Sequence, residues 1–146
     1  KSEGYLFLAG TIVGGVYEYV CSVFTELVFG TVFWDYSHIP FNLAGRINLL
    51  YCFFWGIEAA VWMKVLYPRL SRLIERIPMK AGKVLTWVIV VFMVFNMAIS
   101  ALALGRYQQR QSAPDAPTNG FTEFLDHYYP DERIHQVYPN MKQVTD

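Results

Sequence analysis

The sequence predicts an all-α integral membrane protein, a helical bundle with three transmembrane helices, and three observations lead to that prediction. Hydrophobic residues make up 54% of the 146 residues, which exceeds their share in a typical soluble domain. They gather in three long runs, at about residues 5–29, 43–67 and 84–104. Each run is long enough to cross a hydrocarbon core of about 30 Å as a helix.

The first run is mostly apolar but contains two carboxylates, Glu18 and Glu26. Small and polar side chains recur on one face of the predicted helix, at Gly10, Gly14, Glu18, Ser22, Thr25 and Glu26. A carboxylate that faces lipid is energetically costly. We therefore expect this face to contact other protein segments.

Residues 33–48 form the only polar segment that has hydrophobic runs close on both sides. Its aromatic residues are of the kind that favours the headgroup region of a bilayer. We predict a loop at the outer membrane face. The residues expected at its rim are Glu26, Trp34, Asp35, Tyr36, His38, Asn42 and Arg46.

The second run carries Glu58 in its interior and is expected to end at Pro68. Small residues recur along one face, at Gly45, Cys52, Gly56 and Ala60, so a neighbouring helix can approach closely. Cys21 and Cys52 both lie within apolar runs. We expect them to be buried thiols and not a disulfide or a metal site.

A basic connector follows, with six positive residues against one negative residue between Lys64 and Lys83. The positive-inside rule places the loop at residues 68–83 in the cytoplasm, and therefore residues 106–146 on the extracytoplasmic side. Apolar residues between Pro68 and Pro78 have helical spacing, which predicts a short amphipathic helix on the inner leaflet. The charges either only set the topology, bind anionic lipid, or meet a cytoplasmic partner.

The third run has no charged side chain, and Asn96, Ser100 and Ala103 mark its expected protein-facing side. Residues 1–111 are thus predicted to form the transmembrane domain, and residues 112–146 a partly helical extracytoplasmic tail. The tail begins with a proline-rich linker, Ser112–Asn119, and two short helices are expected on either side of Pro130. We expect the tail to fold back near the loop at residues 33–48, because it would otherwise expose many aromatic residues.

Ionisable residues within the spans are the candidates for function. At about 1.5 Å per residue, Glu26 and Arg46 would be level and form an ion pair, while Glu18 and Glu58 would approach each other in mid-membrane. Two such carboxylates suit a proton relay or a cation site. The predicted substrate or ion path is formed by Glu18, Glu58 and Asn96. The alternative is that the carboxyl groups only hold the helices together through hydrogen bonds.

The chemistry of the loop is less specific. Asp35 and His38 are of the types found as a base with its orienting partner or as two metal ligands, but we favour an Asp turn as the explanation of Asp35. His127 and His135 in the tail are further possible ligands. The spacing matches no metal-binding element, so we predict no metal, no catalytic residue and no cofactor. With a net charge of zero, no nucleic-acid partner is expected.

Several short motifs resemble those of one bacterial family. They are Glu18-Tyr19, Glu26-Leu27-Val28-Phe29-Gly30, Phe33-Trp34-Asp35-Tyr36-Ser37, Phe41-Asn42-Leu43-Ala44-Gly45-Arg46-Ile47 and Trp55-Gly56. From about residue 14 to residue 78 the chain resembles the putative ABC-transporter type IV family, the CmpB-like ABC transporter permeases. Phe33 stands where members of that family commonly have Trp. Because the chain resembles the C-terminal part of the family, the resemblance implies that further hydrophobic sequence precedes Lys1.

Three functional hypotheses follow. The first is a transporter or permease component of the cell membrane, with a polar path lined by carboxylates. The second is a membrane enzyme or lipid-binding protein with its site at the outer aromatic loop. The third is a structural or assembly subunit. All three imply membrane lipids and further transmembrane helices as partners, either from a missing N-terminal part, a partner subunit or copies of the same chain.

Overall fold

The computed structural model describes residues 2–144, and most of them are helical. Six α-helices are formed in this part of the chain: α1 (Glu3–Phe29), α2 (Leu49–Val61), α3 (Tyr67–Ile74), α4 (Met79–Ser112), α5 (Gly120–Tyr128) and α6 (Asp131–Val137). A π-helical turn, Trp62–Leu66, joins α2 to α3. Two short antiparallel ribbons pair β1 (Thr31–Val32) with β4 (Lys142–Gln143), and β2 (Asn42–Leu43) with β3 (Ile47–Asn48).

The three predicted spans are confirmed. Helices α1, Leu49–Ile74 and α4 are each long and apolar enough to cross a membrane, with mean hydropathies of 1.5, 1.5 and 2.4. Their bounds differ from the prediction mainly in the second and third helices. The second helix begins at Leu49 and not at residue 43, because the preceding residues form the β2–β3 ribbon. Helix α4 extends beyond residues 84–104 at both ends, since polar residues there continue the helix without a breaker.

The prediction that the second helix ends at Pro68 is wrong. Pro68 has no N–H to donate to the carbonyl of Lys64, which would normally break an α-helix. Here the helix widens by one residue, so that the Tyr67 N–H donates to the Trp62 carbonyl in a π pattern. The Arg69 side chain then donates to the Val65 carbonyl at 2.8 Å. The amphipathic segment α3 is therefore a direct continuation of the second span.

The chain forms two compact units. The first unit contains residues up to 24 and residues 34–83, and the second contains residues 25–33 and residues from 84 onwards. In the first unit, α1 and α2 pack through glycines. A Cβ atom on Gly14 would lie 2.4 Å from Cγ of Trp55, and a Cβ atom on Gly56 would lie 2.6 Å from the Phe7 carbonyl oxygen.

Gly56→Ala is expected to destabilise the protein by about 1–3 kcal/mol, because the added methyl group meets backbone and has no space to fill. The matched control is Gly105→Ala in α4, where nothing lies within 4 Å of the added Cβ. That substitution is expected to be neutral or to stabilise by about 0.5–1 kcal/mol through helix propensity. Unfolding by sodium dodecyl sulfate titration measures both. Equal effects of the two substitutions would contradict the close contact at Gly56.

In the second unit, the two tail helices pack against the end of α4. Ala103, Leu104, Tyr107 and Ile134 form the buried core, with Phe33 and Tyr138 among the aromatic residues around it. The strand β4 pairs with β1, and the rings of Phe33 and Tyr138 lie 4.9 Å apart. The tail therefore folds back onto residues 31–33 of its own unit. Its two short helices lie on either side of Pro130, as predicted, whereas its position near the rest of the loop stays a prediction.

Four charged residues hold the tail helices, and the sequence analysis did not identify them. Arg106, which is 7% exposed, donates to Asp126 through two nitrogens at 2.9 and 2.6 Å. Arg110 contacts Asp126 as well and donates to Asp131 at 2.8 Å. Each arginine lies in the last two turns of α4, where the helix dipole also favours a positive charge. We call Arg106, Arg110, Asp126 and Asp131 the tail cluster.

The tail is expected to loosen in strong acid. Hydrogen bonds from Arg106, joined by those from Arg110, lower the pKa of Asp126 from 3.8 to about 2. A carboxyl group whose pKa is lower when folded stabilises the fold above its unfolded pKa, and loses that contribution as the pH falls through the folded value. Hydrogen exchange of α5 amides, corrected for intrinsic rates, should therefore be constant above about pH 4 and accelerate toward pH 2. Acceleration that begins near pH 6 would point to a histidine instead.

Candidate functional site

Glu18 lies at the centre of a polar cluster in the first unit. It is 8% exposed, although it lies in the middle of α1. One carboxylate oxygen accepts a hydrogen bond from the Tyr36 hydroxyl at 2.8 Å, and the other accepts one from the Trp55 indole N–H at 3.1 Å. The cluster thus joins α1, the loop at residues 33–48 and α2 through one side chain.

The burial of Tyr36 fixes the direction of this hydrogen bond. Burial, together with the hydrogen bond to Glu18, raises the pKa of Tyr36 above its ordinary value. Tyr36 therefore keeps its proton at neutral pH and acts as the donor. Its ring stacks on Tyr51 with the centroids 4.8 Å apart, which holds the hydroxyl toward Glu18.

The loop at residues 33–48 is held by its own hydrogen bonds. Asp35 accepts a bond from the Ser37 N–H at 2.9 Å, which is the Asp turn given as one alternative from the sequence. The Tyr36 N–H donates to the Gly45 carbonyl, and the Trp34 indole donates to the Arg46 carbonyl at 2.8 Å. The chain reverses at Gly45 with a φ of +67°, where a Cβ would lie 2.9 Å from the Asp35 carboxylate. The indole N–H of Trp34 and the hydroxyl of Tyr36 thus both donate hydrogen bonds within the protein.

Asn48 is the residue of this loop whose importance the sequence analysis missed. It is 1% exposed and caps α2, because its side-chain oxygen accepts from the Leu50 N–H at 2.9 Å. Its amide nitrogen donates to the Pro40 carbonyl at 2.7 Å. Asn48 therefore ties the start of the second span to the middle of the loop. The signal in the sequence is an Asn directly before a long apolar run.

Asn48→Ala is expected to destabilise the protein by about 2–4 kcal/mol. The substitution removes a helix cap, which costs about 0.5–2 kcal/mol, and leaves a buried carbonyl unpaired at about 1–3 kcal/mol. The matched control is Asn96→Ala, since the exposed Asn96 side chain only bonds to Phe92 in its own helix. Detergent-induced unfolding of both variants checks this. If both variants lose the same free energy of unfolding, Asn48 does not tie the start of α2 to the loop.

Arg46 faces α1. Its guanidinium donates to the Ser22 hydroxyl at 3.1 Å and lies 5.9 Å from the centre of the Tyr19 ring. A cation at this distance from an aromatic face is attracted to it. Arg46 is therefore level with Ser22. Glu26 belongs to the second unit, so its pairing with Arg46 stays a prediction.

Glu58 has a different environment from Glu18. It is exposed, and its side chain makes no hydrogen bond or ion pair with any residue in the range 2–144. It lines an open groove of about 340 Å³ between α1 and the second helix, together with Tyr17, Trp55 and Trp62. Because no residue in the range 2–144 pairs with it, this carboxylate is available to a group that does not belong to the described part of the chain.

The structure does not bring Glu18 and Glu58 together. Gly10 of α1 lies against Ala59 of α2, which fixes the levels of the two helices. Glu58 is therefore level with the region of Gly10, and Glu18 lies eight residues further along α1, about 12 Å at 1.5 Å per residue. Trp55 connects the two carboxylates, since it donates to Glu18 and also lines the groove beside Glu58.

The remaining predicted residues have separate environments. His38 is exposed, and the Asp35 carboxylate accepts from the Ser37 N–H, so a pairing of the two as a base with its partner stays a prediction. Asn42 donates to the Ile39 carbonyl at 2.8 Å and supports the loop. Asn96 belongs to the second unit, where it lines a cavity of about 310 Å³ between α4 and the tail. Among residues 2–144, no three His, Cys, Asp or Glu side chains are placed to hold a metal ion.

Comparison with known proteins adds the family. No curated protein and no solved structure is detectably similar to this chain. The sequence pattern of one family, putative ABC-transporter type IV, matches residues 2–101. The match includes the Glu18 cluster, the loop and Glu58, and it ends before the tail cluster. Together with the three apolar helices, it fits a membrane-embedded transport component. The chain belongs to the putative ABC-transporter type IV family.

Proposed function

We propose that the chain is the membrane subunit of a transporter, and that Glu58 lies on the path of the transported molecule. The observation that carries this proposal is the carboxylate of Glu58, which has no partner in the described chain although it lies within a span. Glu58 lies nine residues into α2, about 14 Å from its start and thus near the middle of a hydrocarbon core of about 30 Å. Such a costly placement is typical of a functional residue.

Glu18 has a supporting role in this proposal. Both of its oxygens already accept hydrogen bonds, so it offers little to a ligand, but it fixes the Trp55 indole that borders the groove. Arg46 connects the loop to α1 through its hydrogen bond to Ser22. Asn96 remains a candidate for the path in the second unit, because it lines a cavity there.

The transporter would also need a partner that supplies energy. The 146 residues contain no P-loop motif, so an ATP-hydrolysing subunit would be a separate protein or segment. We propose that residues 68–83 of the basic connector face the cytoplasm and bind that subunit, with the tail on the outer side. The charge bias of six basic residues against Glu75 supports both the orientation and an acidic surface on the partner.

Water access to position 58 tests the proposal without knowledge of the substrate. In a background with Cys21→Ala and Cys52→Ala, Glu58→Cys should react with a membrane-impermeant trimethylammonium methanethiosulfonate in sealed vesicles. The matched control is Val91→Cys, an exposed position on α4 in an apolar surface. We expect at least about tenfold faster modification at position 58, because only a hydrated thiol ionises. Equal rates would mean that position 58 faces lipid, and the path would be excluded.

A structural or assembly subunit is the second candidate, and the Glu18 cluster supports it. A carboxylate with two internal donors acts as a connection between helices, whatever the function of the chain. In that case Glu58 would pair with a cationic group on another subunit. The site at the outer loop receives less support, since Trp34 and Tyr36 donate within the protein and do not offer their polar groups to a lipid headgroup.

A further inference from the structure

The groove beside Glu58 has a chemical character that selects among ligands. Its volume of about 340 Å³ is within the range of small-molecule sites. Three aromatic rings line it, those of Tyr17, Trp55 and Trp62, and all three remain partly exposed. The carboxylate of Glu58 is the one charged group among the lining residues. An occupant must therefore be largely apolar. It must also either carry a charge opposite to that of Glu58 or tolerate the charge of Glu58.

The aromatic rings favour a cationic ligand, as the carboxylate does. The face of an indole or phenol ring attracts cations, and quaternary ammonium groups are bound by aromatic cages of this kind. The Trp55 ring is held in place by its hydrogen bond to Glu18, so this wall of the groove is formed before any ligand binds. Pre-organisation of this kind lowers the entropic cost of binding.

An inorganic cation is a poor match. Calcium takes six to eight oxygen ligands and magnesium about six, whereas the groove offers a single carboxylate among apolar walls. An anion would meet the carboxylate and the negative ring faces. A lipophilic organic cation satisfies both the apolar walls and the charge.

We propose that the groove binds a lipophilic organic cation, such as an amine or phosphonium with large apolar substituents, and that this is the substrate class of the transporter. That the cation is a substrate rests on the proposed transport function, whereas binding of the cation to the groove does not. The groove is open and its lining residues lie within two helices that can span a membrane, so we expect a cation dissolved in the bilayer to reach it. Glu58 would neutralise the charge of the ligand at a depth where hydrocarbon makes an unpaired charge costly.

Binding of two ions that match in size and differ in charge tests this proposal. Tetraphenylphosphonium and tetraphenylborate are titrated against the full chain in lipid nanodiscs, with empty nanodiscs as the blank, and tryptophan fluorescence as the readout. We expect Glu58→Gln to weaken binding of the cation at least about tenfold and to leave the anion unchanged or bound more tightly. Glu132→Gln, the same substitution in the exposed part of α6, should change neither.

The aromatic wall is tested by a second pair of variants. Trp62→Leu should weaken binding of the cation several-fold, whereas Trp87→Leu on the apolar surface of α4 should not. Unaltered cation binding in Glu58→Gln would overturn the proposal. An equal loss for both ions would also overturn it, since it would indicate an apolar site without charge selection. If the wild type is a dimer that Val13→Trp dissociates, and if no cation binds, the groove would be assigned to contact with a second copy of the chain.

A failure of the cation-binding proposal can be distinguished from a failure of the transport proposal. If the cation binds through Glu58 but Glu58→Cys is not accessible to water, the groove is a binding site and not part of a path. If Glu58→Cys is accessible and the cation does not bind, the path stands and the substrate class is wrong.

Discussion

Asp126→Asn is expected to detach the tail helices from the end of α4. The substitution removes the carboxylate that two arginines share, and it leaves the guanidinium of Arg106, which is 7% exposed, without a charged partner. Loss of one partner from a buried ion pair typically costs about 3–5 kcal/mol. Proteolysis of the tail in nanodiscs should therefore accelerate at least about tenfold, because cleavage follows the population of the open form.

The matched control is Asp115→Asn. Asp115 lies in the linker between α4 and α5, is exposed, and makes no side-chain contact with residues 2–144. Its replacement should leave the cleavage rate unchanged. If Asp126→Asn has no effect on the tail either, the tail cluster does not hold these helices.

Glu18→Ala is expected to destabilise the first unit by about 2–5 kcal/mol. The Tyr36 hydroxyl and the Trp55 indole would both lose their acceptor, and a buried unsatisfied donor costs about 1–3 kcal/mol. Detergent-induced unfolding measures the change. Glu58→Ala provides the control at a carboxylate without internal partners, and it should have a small effect.

A double-mutant cycle identifies the cause of this loss. Tyr36→Phe removes one of the two donors, so its combination with Glu18→Ala should cost less than the sum of the single substitutions. Additive effects would mean that the hydrogen bond between Glu18 and Tyr36 contributes nothing measurable.

Much of the fold could be predicted from the sequence, because it depends on local patterns. Length and apolar composition identified the three spans, and Pro130 separated the two tail helices at the correct place. Pro68 misled the prediction, since a π turn allows a helix to continue past a proline when side chains such as Arg69 satisfy the carbonyls that are left. Periodicity cannot distinguish such a turn from a helix end.

The candidate site was only partly predictable, because it depends on the register between helices. Glu18 and Glu58 were identified from their cost in a membrane, but their relative depth is set by the contact of Gly10 with Ala59. The partners of Glu18 lie 18 and 37 residues away in the sequence. The tail cluster joins residues 16 to 21 positions apart across a linker, and no local pattern predicts such pairs.

If Glu18 supports the structure whereas Glu58 contacts the ligand, the two residues should respond differently in thermal unfolding. Wild type, Glu18→Gln and Glu58→Gln are heated in nanodiscs with and without tetraphenylphosphonium, which stabilises any fold that binds it. We expect Glu18→Gln to lower the Tm but to keep the rise caused by the cation, and Glu58→Gln to keep the Tm but to lose that rise. A lower Tm in Glu58→Gln with an intact rise on addition of the cation would contradict this expectation.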